Sequence, residues 1–332
     1  VSLILGEHRR YLADVARLDA YRAALQRVVR PGATVLDLGT GTGVLAVLAA
    51  QAGAGHVYAV DASSMLAVAR AVVAANGLRD RVTLIRSHSL RVELPEPVDV
   101  VVADQMGAVG LEAGLLEYFA DARRRLLKPG GTLVPFRLHL VAAAFSSPAI
   151  WEEVSFWDEP VHGIDVRAAQ GYARNVRYYA NGDPDTLLGP GTVVASLDPG
   201  DPEAAPITAA VELPVQRAGD LHGIATWFAA DLVEGITISN GPDVPDRLNR
   251  SHVVLPIAAP VAVEPGAVVH LELHVVPPDA LTRWRVVVRD RAGAPLAESQ
   301  HSTVEGAPMT REDLHRTRPD HVPRLGGRGQ AR

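Results

Sequence analysis

The chain contains no cysteine. Disulfides, thiolate metal sites and cysteine nucleophiles are therefore excluded, and no metal is expected. No apolar run approaches the roughly 20 residues that cross a bilayer. The stretch Val1–Leu5 is too short for a secretory leader and charged residues follow at once, so a cytoplasmic location is the expectation. A basic stripe is missing too. The net charge is −6 and the arginines are dispersed, so neither a nucleic-acid surface nor a membrane partner is expected. No internal repeat stands out. What the 332 residues do supply, at 48% hydrophobic content, is enough apolar material for two domains.

The stretch Thr34-Val35-Leu36-Asp37-Leu38-Gly39-Thr40-Gly41-Thr42-Gly43 organises what is there. It reads as a buried strand running into a glycine-rich turn, with a helix following from about Val44 to Gln51. Glycines at alternate positions let the backbone turn sharply and pass close under a ligand, and the helix start offers free N–H groups. A second apolar strand, His56–Val60, ends in Asp61, placed to accept both hydroxyls of a ribose. The dinucleotide fingerprint is similar but spaced Gly-x-Gly-x-x-Gly. Gly-x-Gly-x-Gly with Asp37 before it looks like motif I of class I methyltransferases, which use S-adenosylmethionine. A nicotinamide site and a ligand-free turn are the alternatives at this point.

The remaining elements fall around that stretch. Residues 8–29 read as one helix, with Arg17 in its middle; periodicity alone makes that arginine a solvated one. Ala62-Ser63-Ser64 reads as a cap before a helix over 65–76. A strand over 81–85 ends at Ser87-His88-Ser89-Leu90, and a strand over 98–103 ends at Asp104-Gln105-Met106-Gly107. A helix over 112–127 is closed by Lys128-Pro129-Gly130-Gly131 before the strand 132–135. Alternating strands and helices predict a parallel, doubly wound α/β sheet with its ligand outside the carboxyl ends of the strands, where Asp37, Asp61, Ser89 and Asp104 lie. From 136 onward, alternating runs at 138–142, 208–213, 268–276 and 284–289 predict antiparallel strands in a barrel or sandwich. A polar, turn-rich stretch over 163–192 interrupts them, and residues 306–332 read as a disordered tail.

This order of elements resembles the protein arginine methyltransferase family over residues 8–300. Tyr11-Leu12-Ala13-Asp14-Val15-Ala16-Arg17-Leu18-Asp19-Ala20-Tyr21 is similar to the family helix Met-Leu-x-Asp-x-x-Arg-x-x-x-Tyr. Val35–Gly43 is similar to Val-Leu-Asp-x-Gly-x-Gly-Thr-Gly, Asp61–Ser64 to its acidic-x-Ser-Ser, and Trp157–Asp165 to Trp-x-x-Val-Tyr-Gly-Phe-Asp. The resemblance implies a seven-stranded Rossmann-type methyltransferase domain at 31–135 under an N-terminal helical cover at 1–30. It implies a β-barrel at 136–305 with a dimerisation arm at about 163–192, and hence a homodimer. S-adenosylmethionine is the implied cofactor, with Arg17 on its methionine carboxylate. The implied cofactor set is His8, Arg17, Asp37, Gly39, Thr40, Gly41, Gly43, Asp61, Ala62, Ser63, Ser89, Leu90, Asp104 and Met106, with Gln105 and Met106 at the seam to the acceptor.

The departures bear on the acceptor. The family carries Ser-Glu-x-Met-Gly-Tyr and a second glutamate nine positions after the first. Here the stretch is Ala103-Asp104-Gln105-Met106-Gly107-Ala108, the position nine further is Ala113, and Glu112 stands beside it. The Thr-His-Trp loop aligns with Leu248-Asn249-Arg250, so its histidine is absent; the tyrosine-rich lid helix is missing or truncated; and the acid that contacts adenine falls on Leu90. A guanidinium is always charged and needs two carboxylates to localise its charge. One shortened acid and one displaced acid make a poor clamp. The expectation is methyl transfer to a nitrogen or oxygen of a small molecule or peptide rather than to protein arginine. Asp104 is the first choice for the acid or base and Glu112 the second, with His162, His222, His252 and Asn249 as further pocket candidates. An arginine methyltransferase with a rebuilt clamp, and a silent cofactor-binding dimer, are the alternatives.

Overall fold

The computed structural model describes residues 2–277 and 281–305, and the expected tail lies outside them. Five parallel strands form the first sheet: β1 (Thr34–Leu38), β2 (His56–Asp61), β3 (Val82–Arg86), β4 (Val98–Ala103) and β5 (Leu127–Val134), in the order β3-β2-β1-β4-β5. Val35, Leu36, Val57, Val98 and Val101 are fully buried, as a parallel sheet covered on both faces requires. The order reverses at β1, which opens a crevice at the carboxyl ends of β1 and β4.

The sheet has five strands, not the seven expected. Pro135 has no N–H to continue the ladder, and the next strand, Arg137–Phe145, pairs instead with Gly219–Val233 of the second half. The expected single helix over 8–29 is two helices, α1 (Ser2–Ala13) and α2 (Val15–Val28). Asp14 breaks it: its side chain accepts the Arg17 N–H at 3.1 Å and caps α2. Arg17 therefore stands in a first turn. Helices α3 (Val44–Gln51) and α4 (Leu66–Ala75) match expectation, whereas α5 (Leu115–Arg125) is shorter than 112–127 because Gly114, at φ +84°, turns left-handed before it. Lys128–Gly131 does not close that helix. It lies within β5, where the register jumps from Val98↔Leu127 to Val100↔Thr132.

The second half is antiparallel. One sheet runs Tyr178–Ala180, His252–Val263, Gly219–Val233, Arg137–Phe145 and Thr192–Leu197, with Ile236–Ser239 paired to Gly219–Val233; the other runs Pro295–Ser302, Leu281–Arg289, Val268–Val276 and Ile207–Pro214. The expected interruption contains the short helices Arg167–Ala169 and Gln170–Ala173 and ends earlier than 192, since Thr192 already opens a strand. Ile164, Tyr172 and Tyr179 stand exposed along it, and Phe156 just before it. His222 and His252 are buried in the second half rather than in a pocket. No helix among the described residues is long and apolar enough to cross a membrane.

Candidate active site

The site is held together first by Asp14. One of its oxygens caps α2; the other accepts the N–H of Asn249, 235 positions away, at 2.8 Å. The α1–α2 junction and a barrel loop are thus locked side by side over the carboxyl ends of β1 and β4. Tyr21 of α2 donates to the Ala103 carbonyl at 3.0 Å and pins the helix to the end of β4. Asn240, wholly buried, donates to the carbonyls of Ala108 and Ser251, both at 2.8 Å, and so ties the loop after β4 to the same barrel loop.

Between these segments lies a cavity of about 390 Å³. His8, Tyr11, Arg17, Gly39, Thr40, Gly41, Asp61, Asp104, Gln105 and Arg250 face it. At one end, the Asp61 carboxylate accepts the N–H of Gly41 at 2.8 Å and that of Ser63 at 2.7 Å, one on each oxygen. Each oxygen keeps a lone pair for a further donor. Gly41 sits at φ +54°, and a Cβ there would lie 2.6 Å from the His8 ring, which covers the loop; a Cβ on Gly39 would collide with Gln105. Below, Asp37 is fully buried and accepts from the Thr40 hydroxyl at 2.6 Å. Burial pushes its carboxyl up to about 7, against the lowering effect of that hydroxyl.

At the other end the groups are ions. Arg17, 5% exposed, donates from Nε to Asp104 at 2.5 Å and from Nη1 to the Tyr11 carbonyl at 3.4 Å, leaving Nη2 without a partner among the described residues. Burial disfavours its charge, and the Asp104 carboxylate more than restores it, so its pKa lies above the usual arginine value. Arg250 approaches the same carboxylate at 3.3 and 3.4 Å and donates to the Gly107 carbonyl at 3.2 Å. Glu112 is turned back on its own loop. It accepts from the N–H groups of Val109 (3.0 Å) and Leu111 (3.4 Å), packs over Gly107, and has Arg177 at 3.7 Å.

Other expected residues fall outside the cavity lining. Met106 is fully buried in the core. Ser89 and Leu90 form a short turn whose Leu90 faces a separate groove with Leu111 and Leu116. Ala62 is exposed in the turn after β2, and Gly43 caps α3 against Ala69. Sequence reasoning missed Tyr11, Arg177, Asn240 and above all Arg250. The available signal was Leu248-Asn249-Arg250, read for the histidine it lacks and not for the cation it holds.

The family model described as "Ribosomal protein L11 methyltransferase (PrmA)" matches residues 22–135. Protein arginine N-methyltransferase 6 of Xenopus tropicalis is 33% identical over 249 residues, 71% of this chain and 73% of that one. The chain belongs to the protein arginine methyltransferase family. It is an S-adenosylmethionine-dependent methyltransferase. Arginine N(omega)-methyltransferase of Streptomyces achromogenes subsp. streptozoticus is likewise 33% identical, over 278 residues that cover 80% of this chain and 75% of that one. The Trypanosoma brucei PRMT1 enzyme–prozyme heterotetrameric complex with AdoHcy shares the fold, with a TM-score of 0.81 at 23% identity over 90% of this chain and 98% of that chain.

The residues present suit the family's cofactor. Asp61 has lone pairs free for two hydroxyls, Gly39 and Gly41 keep the loop clear of side chains, and the free Nη2 of Arg17 can take a carboxylate.

Proposed function

We propose that this arginine methyltransferase relative methylates a nitrogen or oxygen of a small molecule or peptide, and not arginine in proteins. One observation carries the reading: Asp104 is already paired to Arg17 and Arg250, while Glu112 is occupied by its own loop and Arg177. Neither acid is left to grip an incoming guanidinium.

Bound in the cavity, S-adenosylmethionine supplies a methyl group activated by its sulfonium. Asp61 would hold the ribose, Arg17 the methionine carboxylate, and His8 with Gly39, Thr40 and Gly41 would enclose the rest; Asp37 supports the turn from beneath. Alignment of this kind contributes on the order of 7–11 kcal/mol to a displacement. Asp104 Oδ1, which carries only the 3.4 Å contact from Arg250, accepts one hydrogen bond from the acceptor and orients its lone pair, and Glu112 keeps the loop in shape. A neutral acceptor needs only one such acid.

The arm at about 163–192 makes a homodimer in this reading. Support comes from Phe156, Ile164, Tyr172 and Tyr179 exposed along and beside it, and from Leu12 and Val15 exposed where α1 meets α2.

A second reading, arginine as acceptor, draws on the Streptomyces relative's name and on the guanidinium of Arg250 lying between Asp104 and the Gly107 carbonyl. Methyl transfer from labelled S-adenosylmethionine to an arginine- and glycine-rich peptide, to free L-arginine and to a panel of small amines, phenols and imidazoles tests both. The proposal expects the peptide's arginines to be poor acceptors beside at least one small molecule. Arginine in the peptide as the best acceptor overturns it.

A further inference from the structure

At Asp104 two guanidinium groups share one carboxylate. Arg17 and Arg250 both pair with it; Asp14 stands on the far side of Arg17 and Glu7 further along the cavity wall, which leaves Arg250 with Asp104 as its one acid partner among the described residues. A cationic acceptor would add a third positive charge beside that carboxylate, in a confined site where charges are poorly screened. An anionic group on the acceptor would balance the set.

Arg250 is built to supply that balance. Its three bonds, from Nη2 to both oxygens of Asp104 and from Nη1 to the Gly107 carbonyl, at 3.2–3.4 Å, are long for charge-assisted ones. The Nε–H and the second Nη1 hydrogen have no partner among the described residues. The group is nevertheless fixed and half-dry. The rings of Tyr11 and Phe228 stand 5.4 and 5.6 Å from its central carbon, and its side chain is 12% exposed. Asn240 and Asp14 anchor the backbone on either side of it through Ser251 and Asn249. A planar fork with spare donors, held between aromatic rings on a cavity wall, matches the two oxygens of a carboxylate.

We propose that Arg250 determines acceptor specificity by binding a carboxylate on the methyl acceptor. The acceptor is then a small molecule with an acid group beside its nucleophilic nitrogen or oxygen, a free amino acid or a close relative. A residue inside a protein chain, whose carboxyl is an amide, is rejected. The inference rests on the small-molecule reading above and names the class of molecule.

The test measures methyl transfer from labelled S-adenosylmethionine to the twenty free L-amino acids, to their carboxamides and to an arginine- and glycine-rich peptide. It uses wild type, Arg250→Lys and Arg250→Ala, with S-adenosylhomocysteine titration of each variant to establish that it is folded. Wild type is expected to accept at least one free acid about 30-fold better in kcat/KM than its carboxamide. Arg250→Ala is expected to shrink that ratio to about threefold through KM, and Arg250→Lys to retain part of it. Equal use of acid and carboxamide by wild type, a ratio unchanged in Arg250→Ala, or no free acid accepted at all overturns the role of Arg250 and leaves the small-molecule reading standing. Transfer to the peptide alone overturns that reading as well.

Discussion

At the Asp61 end of the cavity the inward-facing groups come from one strand–turn–helix unit and the strand beside it: Gly39, Thr40 and Gly41 after β1, and Asp61 closing β2. They are largely backbone, and their one acid is held by two N–H groups within its own domain. At the Asp104 end the groups are charged side chains from distant places: Arg17 on α2, Asp104 after β4, Arg177 just before the strand Tyr178–Ala180 and Arg250 in a barrel loop. Backbone donors cannot be exchanged by substitution, so the first end keeps one task. Paired side-chain ions can be exchanged, and in the proposal above they select the acceptor, so that a fold would retain its methyl donor while its acceptor changes.

The contrast breaks most sharply at Asp104. Asp104→Ala leaves Arg17 and Arg250 facing each other in a nearly dry site, and losing one partner of a buried pair costs about 3–5 kcal/mol. Urea unfolding is expected to show that loss; a change under about 1 kcal/mol would mean that the acceptor end is solvated.

The two halves also respond oppositely to acid. His252 and His301, buried in the barrel half, are pushed down by burial to about 4. Both are neutral in the fold and charge more readily when unfolded, so the stability they contribute above pH 6.5 is lost on acidification towards pH 4, on the order of 3 kcal/mol each. Asp37 works the other way: its raised carboxyl costs stability as pH rises from about 4 to 7. Melting temperatures across that range should show a net loss on acidification, deepened in Asp37→Asn and lessened in His301→Phe.

Asp61→Ala tests the other end. It removes two charge-assisted bonds and is expected to weaken S-adenosylhomocysteine roughly 10- to 100-fold in a calorimetric titration. Stability should change far less than in Asp104→Ala. Gly41→Ala comes next: at φ +54° and with the His8 ring in the way, it should cost about 1–2 kcal/mol and loosen the same ligand. The smallest effect is expected at Arg123, paired with Asp198 in water, where alanine should cost under about 1 kcal/mol.

The same contrast decides what could be read from residue order. Gly39-Thr40-Gly41-Thr42-Gly43 and Asp61 are local signals: a left-handed turn needs glycine wherever it occurs, and a buried strand ending in an acid announces itself within a few residues. Strand and helix spans in the first half followed from the same local rules, with three exceptions. Asp14 cut the first helix, left-handed Gly114 delayed the start of α5, and a bulge absorbed Lys128–Gly131 into β5. Arg250 could not be foreseen in this way. In sequence it is one arginine among many; its meaning depends on Asp14 and Asn240 holding its loop against Asp104, 146 positions away.

The sequence by itself determined the donor half of this protein, because the glycine turn and the acid that ends the next strand are written in contiguous backbone requirements. Only the tertiary structure decided the acceptor half. There Arg17, Asp104 and Arg250, and beside them Glu112 and Arg177, meet as ion pairs, and such pairing depends on distances that chain order does not contain.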